Sequence, residues 1–209
     1  MTTISWPANL PSDSPPTFET NNFSRQFGSN LIKTNMDKGP PKFRRYTTAT
    51  PELLAGSITM SLDDYLNVFQ DFYQDTIKFG ALSFNFPEPN NYFYSTIATS
   101  SGSNTSTIYL TSAASSVDDY YNGMNIVVTN ETDDETVVGT ILDYVGSTRT
   151  ITLSSPIGNT NPFLVGSKLY INTIEVQMNN ETNGVAYTEG GFEMPRARTI
   201  SFSLLKLPE

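Results

Sequence analysis

The chain of 209 residues contains neither cysteine nor histidine. Without cysteine there are no disulfides and no thiolate metal sites. Without histidine the commonest general base and the commonest metal ligand are both missing, so any catalysis would have to run on carboxylates. Charge is sparse and one-sided: 16% of residues are charged, and 12 Lys and Arg stand against 21 Asp and Glu, a formal charge of −9. A chain this acidic lacks the basic stripe that displaces phosphate counterions, which argues against direct nucleic-acid readout. No apolar run approaches the roughly 18 residues that a membrane span needs. The opening "MTTISWPANLPSDSPP" has no basic head and no apolar stretch, so it does not read as a secretory signal, and synthesis in the cytoplasm is expected.

What is present is aromatic and β-favouring. Thirteen Phe, eleven Tyr and one Trp supply large apolar area, and Thr, Ser and Asn are abundant, a profile of sheets with uncharged polar faces. Residues 1–42 carry Pro7, Pro11, Pro15, Pro16, Pro40 and Pro41, which fix φ and remove backbone donors. Because Trp6, Phe18, Phe23 and Phe27 are too apolar for a free tail, this stretch is expected to be an extended arm pinned by aromatics onto its own domain or a neighbour. Residues 44–60 suggest a hairpin, "RRYTTAT" and "LAGSITM" about Pro51-Glu52.

Ser61 then opens a helix, "SLDDYLNVFQDFYQDTIKFG", with Asp64 completing a capping-box-like pair and Gly80 as the stop. Leu62, Tyr65, Leu66, Phe69, Phe72 and Tyr73 form its apolar face. In "ALSFNF", Leu82, Phe84 and Phe86 alternate as in a half-buried strand.

From residue 95 to 171 the character changes. Two cations face seven acids there, and short runs such as "TSTIYLTS", "MNIVVTN", "TRTITLSS" and "SKLYI" recur between turn signals, the pattern of a small antiparallel sandwich or barrel. Longer strands return in "NTIEVQMNNE" and "RARTISFSLLKL". The expected fold is mainly β. A host domain of residues 1–94 and 172–209, an antiparallel sheet with one packed helix, carries an inserted all-β sandwich or barrel module at 95–171.

The chemistry-bearing clusters have plain readings. In "NETDDETVVG", residues 130–139, Glu131, Asp133, Asp134 and Glu135 lack EF-hand spacing and read as a solvated hairpin tip. Asp118 and Asp119 belong to a turn ending in Asn122-Gly123. Asp63, Asp64, Asp71 and Asp75 decorate the solvated side of the helix rather than forming a glycosidase pair. No phosphate cradle or nucleophile elbow occurs, so no catalytic, cofactor or metal residues are expected. The remaining anomaly is cationic. Lys33, Lys38, Lys42, Arg44 and Arg45 are half of the ten cations outside residues 95–171, gathered about the stiff Gly39-Pro40-Pro41. A restrained segment loses less entropy on docking. Lys33, Asp37, Lys38, Pro40, Pro41, Lys42, Arg44 and Arg45 are therefore candidate subunit-interface residues. In the insert, Tyr120, Tyr121, Tyr144 and Arg149 are a candidate surface contact patch.

Four segments, "SWPANLP", "TNMDKGPPKFRRYTTA", "FYQDTIKFGALSFNFPEP" and "RARTISFSLLKLPE", together resemble the minor tail proteins of tailed bacteriophages. That family combines a WPxxLP opening, a TxMDxGPxKxRR stretch, a helix, a Gly-Ala-Leu-x-Phe strand and a last strand ending Leu-Pro. Likewise "TSAASSVDDYYNGMNIVVTN" with "TILDYVGSTRTITLSS" resembles a small β-module of phage virion proteins, although "NETDDET" stands where that module has a Gly-rich hairpin. The resemblance implies a non-catalytic structural subunit of the virion tail, at the tip, the tube junction or near the portal. Its implied partners are copies of itself in a ring and other tail proteins such as tube, adaptor, hub or fibre. It implies no small-molecule substrate. The alternative is a receptor- or glycan-binding role carried by the inserted module.

Overall fold

The computed structural model describes residues 4–28, 31–36, 39–45, 52–98, 106–129, 136–156, 165–179, 186–189 and 197–207. It is mainly β, with antiparallel sheets and one helix. The first sheet runs in the order β1 (Ser24–Phe27), β4 (Glu52–Ser61), β14 (Ala197–Lys206), β12 (Thr173–Met178) and β5 (Phe84–Pro87), with β13 (Ala186–Glu189) also paired to β14. Its centre is the ten-residue pairing of β4 with β14, where alternation turns Leu54, Ile58 and Met60 inward against Ile200, Phe202 and Leu204. β5 is buried along its whole length, not on one side only, and Leu82 lies in the preceding turn, exposed.

The hairpin expected over 44–60 does not form. The strand β3 (Lys42–Arg45) pairs backwards with β2 (Leu31–Thr34), while β4 pairs with β1 and β14. The Gly39-Pro40-Pro41 punctuation lies between β2 and β3, and with Gly39 at φ +103 it supplies the reversal.

Ser61 caps the helix as the sequence predicts, its hydroxyl accepting from the Asp64 N–H at 3.0 Å. After one α-turn, Leu62–Asp64, the helix widens into two π-wound stretches, Tyr65–Phe69 and Phe72–Thr76, in which Gln70 and Ile77 donate to carbonyls five residues back. The wider winding rotates the faces. Phe69 and Phe72 are buried, whereas Leu66, expected inside, is 46% exposed. Tyr65, Phe69 and Tyr73 stack in sequence at 5.8 and 5.9 Å, so residues four apart line up along the axis.

Trp6 of the arm is the hub of this core. It is fully buried, donates Nε1 to the Leu10 carbonyl at 2.7 Å and touches Phe69, Phe72, Phe84, Phe86 and Phe202 at 5.3 to 6.3 Å. Phe18 lies over Gly56, the glycine that faces Phe202 across β4 and β14.

The second sheet draws all its strands from residues 93–171, in the order β6 (Phe93–Thr96), β11 (Lys168–Ile171), β8 (Asn125–Thr129), β9 (Thr136–Val145), β10 (Thr150–Leu153) and β7 (Thr107–Tyr109). A bridge between Ile97 and Leu110 joins its two edges, closing a small barrel. Ile108, Ile126, Val128, Ile141, Tyr144, Ile151, Leu169 and Ile171 fill it. Closure removes the free edges that would otherwise invite pairing.

Candidate functional site

The cationic segment is the hairpin β2–β3, and among the described residues its two strands pair only with each other. Cross-strand register places Leu31 opposite Arg45 and Lys33 opposite Phe43 on one face, and Ile32 opposite Arg44 and Thr34 opposite Lys42 on the other. Arg44 and Arg45 thus point to opposite faces, and both are exposed, as are Lys33, Lys42, Pro40 and Pro41. Asp37 and Lys38 lie outside the described residues. Leu31 is 57% and Phe43 58% exposed, with Phe27 and Met36 also open to solvent nearby. An isolated two-stranded ribbon is marginal in water. Here it presents apolar and cationic side chains to solvent together, the composition of a surface that docks.

The contact patch in the barrel is divided by the fold. Tyr121 and Tyr144 are core residues, 4.8 Å apart edge to face, and the Tyr144 hydroxyl donates to the Ser115 carbonyl. Arg149 is half-buried at positive φ, with Nε directed to the Ala114 carbonyl at 3.4 Å. Only Tyr120 stands out, 55% exposed. It borders a cleft of about 140 Å³ whose walls include Tyr92, Phe93, Asn91 and Asn172, an aromatic and amide lining without charge.

Asp118, Asp119 and Asp64 have structural work. Asp118 accepts from the Gly146 N–H at 2.8 Å, Asp119 adopts φ +62 in the turn, and Asn122 donates to Asp119 at 2.7 Å. Asp64 accepts from both the backbone and the hydroxyl of Ser12, tying the arm to the helix. Glu131, Asp133, Asp134 and Glu135 lie outside the described residues. Among the described residues no three acidic side chains converge as a metal ion would need, and no helix is long and apolar enough to cross a membrane.

Two features escaped the sequence reasoning. The first is Arg25 on β1, which reaches Glu52 through Nε at 2.8 Å and Glu88 through Nη1 at 2.8 Å. Its hydrogen bond to Glu52 raises the guanidinium pKa further. Glu52 and Glu88 are far apart in sequence, so no local pattern could reveal the pairing.

The second is a seam between arm and barrel. Tyr94, Tyr170, Val127 and Val138 are register partners on adjacent strands and form an outward-facing apolar row, with Ala8 packed against its centre. The Ala8 N–H donates to Thr129 Oγ1 at 2.8 Å, the Tyr170 hydroxyl to the Trp6 carbonyl at 2.7 Å and Lys168 Nζ to the Ser12 carbonyl at 2.5 Å. The buried Tyr170 hydroxyl is pushed well above its ordinary value of 10.0, because burial disfavours the phenolate. A raised folded pKa means the folded state holds the proton more tightly, so stability is full below pH 10 and falls as pH rises toward the folded value. Tyr170→Phe is expected to cost about 1 kcal/mol at neutral pH, through the unpaired Trp6 carbonyl. It should also flatten the alkaline loss of stability, as read by urea unfolding at pH 7 and above pH 10.

Compared with known proteins, the chain matches no family model and no curated sequence.

Proposed function

We propose that this protein is a non-catalytic structural subunit of a bacteriophage tail, assembling through contacts with copies of itself and with other tail proteins. The observation that carries the assembly part of this reading is the β2–β3 hairpin, a stiff, cationic and apolar ribbon that has, among the described residues, no third strand and no core of its own. A surface of that kind is stabilised by a partner rather than by its own fold. The tail assignment is supported by the segments that resemble phage minor tail proteins. Three of them supply the first core, through Trp6, through Phe84 and Phe86, and through Ile200, Phe202 and Leu204, while "TNMDKGPPKFRRYTTA" contains the exposed strand β3.

A residue-resolution map of purified particles is the deciding experiment. The expected result is the chain in the tail with residues 31–45 against another subunit. A particle map without it in the tail, or a purified sample that turns over a substrate, ends this reading. The cleft beside Tyr120 favours a second reading, receptor or glycan binding by the barrel, whose mark is saturable saccharide binding by the whole chain on a glycan array.

A further inference from the structure

We infer that the hairpin's partner is the exposed acidic stripe of the helix on a second copy of this chain, giving a head-to-tail contact. This rests on the assembly reading above and adds the identity of the surface. On the hairpin, the face carrying Leu31, Lys33, Phe43 and Arg45 alternates apolar and cationic groups diagonally across two strands. On the helix, Asp63, Asp71 and Asp75 are all exposed and recur at four-residue intervals through Asn67, the spacing at which Tyr65, Phe69 and Tyr73 are seen to line up. Asp64, which is engaged with Ser12 of the arm, lies off this stripe. Beside it Leu66, turned out of the core by the π-winding, is 46% exposed. An acidic stripe with an apolar neighbour thus matches a cationic ribbon with apolar neighbours, in sign and in mixture.

The two surfaces face different neighbours. The chain enters the hairpin from β1, one edge of the first sheet, whereas the helix packs through Phe72 onto Phe84 of β5, the opposite edge. Along the strands they are also apart: the chain leaves β1 at Phe27, opposite Glu52, whereas the helix begins after Ser61, at the other end of β4, roughly 30 Å away at ~3.3 Å per residue. A donor patch and a different acceptor patch on opposite sides of one subunit make a heterologous contact, which generates a closed ring or an open filament. Other cationic or acidic partners are excluded or admitted by experiment.

Because the chain has no cysteine, engineered thiols report this contact without background. Phe43→Cys and Leu66→Cys chains of different tag mass are mixed and mildly oxidised, with Leu142→Cys, exposed on the barrel, replacing Leu66→Cys as control. The expected result is a mixed Phe43→Cys/Leu66→Cys dimer in about tenfold excess over the control pair, the change that ~1.4 kcal/mol of association produces. Lys33→Glu with Arg45→Glu on the first chain should remove the excess, and Asp71→Lys with Asp75→Lys on the second should restore it. A mixed dimer at control level, or no restoration by the swapped pair, overturns the inference. Failure here while the particle map places the chain in the tail leaves the functional reading standing. Specific cross-linking by a chain absent from the tail does the reverse.

Discussion

Trp6→Ala is expected to remove most of the cooperative stability of the chain. Truncating a fully buried large aromatic costs about 3 to 5 kcal/mol, and whole domains hold only about 5 to 15 kcal/mol in total. Trp6 belongs at the upper end for two reasons visible in its surroundings. It touches five phenylalanine rings contributed by the helix and by β5 and β14, so no single neighbour can move in to fill the void. Its backbone carbonyl also accepts the Tyr170 hydroxyl, so loosening the ring in the first core loosens the seam on the barrel. Urea unfolding followed by far-UV circular dichroism should show the midpoint collapse, while Trp6→Phe, which keeps much of the ring volume, should retain a clear transition. A midpoint unchanged by the alanine variant would mean that the arm is not part of the core in solution. As the chain's sole tryptophan, Trp6 also makes its own emission a direct report of arm docking in otherwise native variants.

That dependence on a segment of the first eighteen residues shows where sequence reading stops. The helix start was legible because capping is local: Ser61 and Asp64 are three residues apart and meet as expected. The alternation of Ile200, Phe202 and Leu204 was legible because burial on one face of a strand has period two. The arm has no period. Its aromatics announce burial but not against what, and Trp6 meets rings up to nearly two hundred positions away. The seam was hidden by the same rule that revealed the strands, since alternation assigns Tyr170 to the solvent side of β11 and only the arm makes that side dry. The π-winding was invisible because its signature is a hydrogen bond five residues back, not a residue type. It carried Leu66 from the expected core face to the surface.

For the candidate interface, composition marked the cations but misassigned the pairing. The turn signal of Gly39-Pro40-Pro41 was present, and using it would have joined β3 to β2. The consequence for function is direct. A hairpin over 44–60 would have bound Arg44 and Arg45 into the main sheet, whereas the observed pairing frees both strands from it and leaves their side chains to solvent.

Three glycine-to-alanine changes should separate by what the new methyl group meets, and the largest loss is expected at Gly146. A Cβ there runs into the main-chain carbonyl of Ser116, with the Val117 carbonyl carbon at 2.7 Å, and a backbone cannot swing aside as a side chain does. The segment it would displace is held at two points, by the Gly146 N–H to Asp118 and by the Tyr144 hydroxyl to Ser115. Moving it therefore breaks partly buried hydrogen bonds in addition to the overlap, a loss of about 3 kcal/mol. At Gly56 the obstacle is the Phe18 ring, 2.6 Å from the new carbon. That ring is wedged against Phe86 and Phe202 at 5.2 and 4.9 Å, so it yields only by disturbing the core, at about 1 to 3 kcal/mol. Gly123 has open space around it but sits at φ +77, so its cost is backbone strain alone, about 1 kcal/mol. Urea midpoints in the order Gly123→Ala, Gly56→Ala, Gly146→Ala, highest to lowest, are the expected outcome. If Gly146→Ala were as stable as Gly123→Ala, the 115–118 loop would not be clamped against the end of β9.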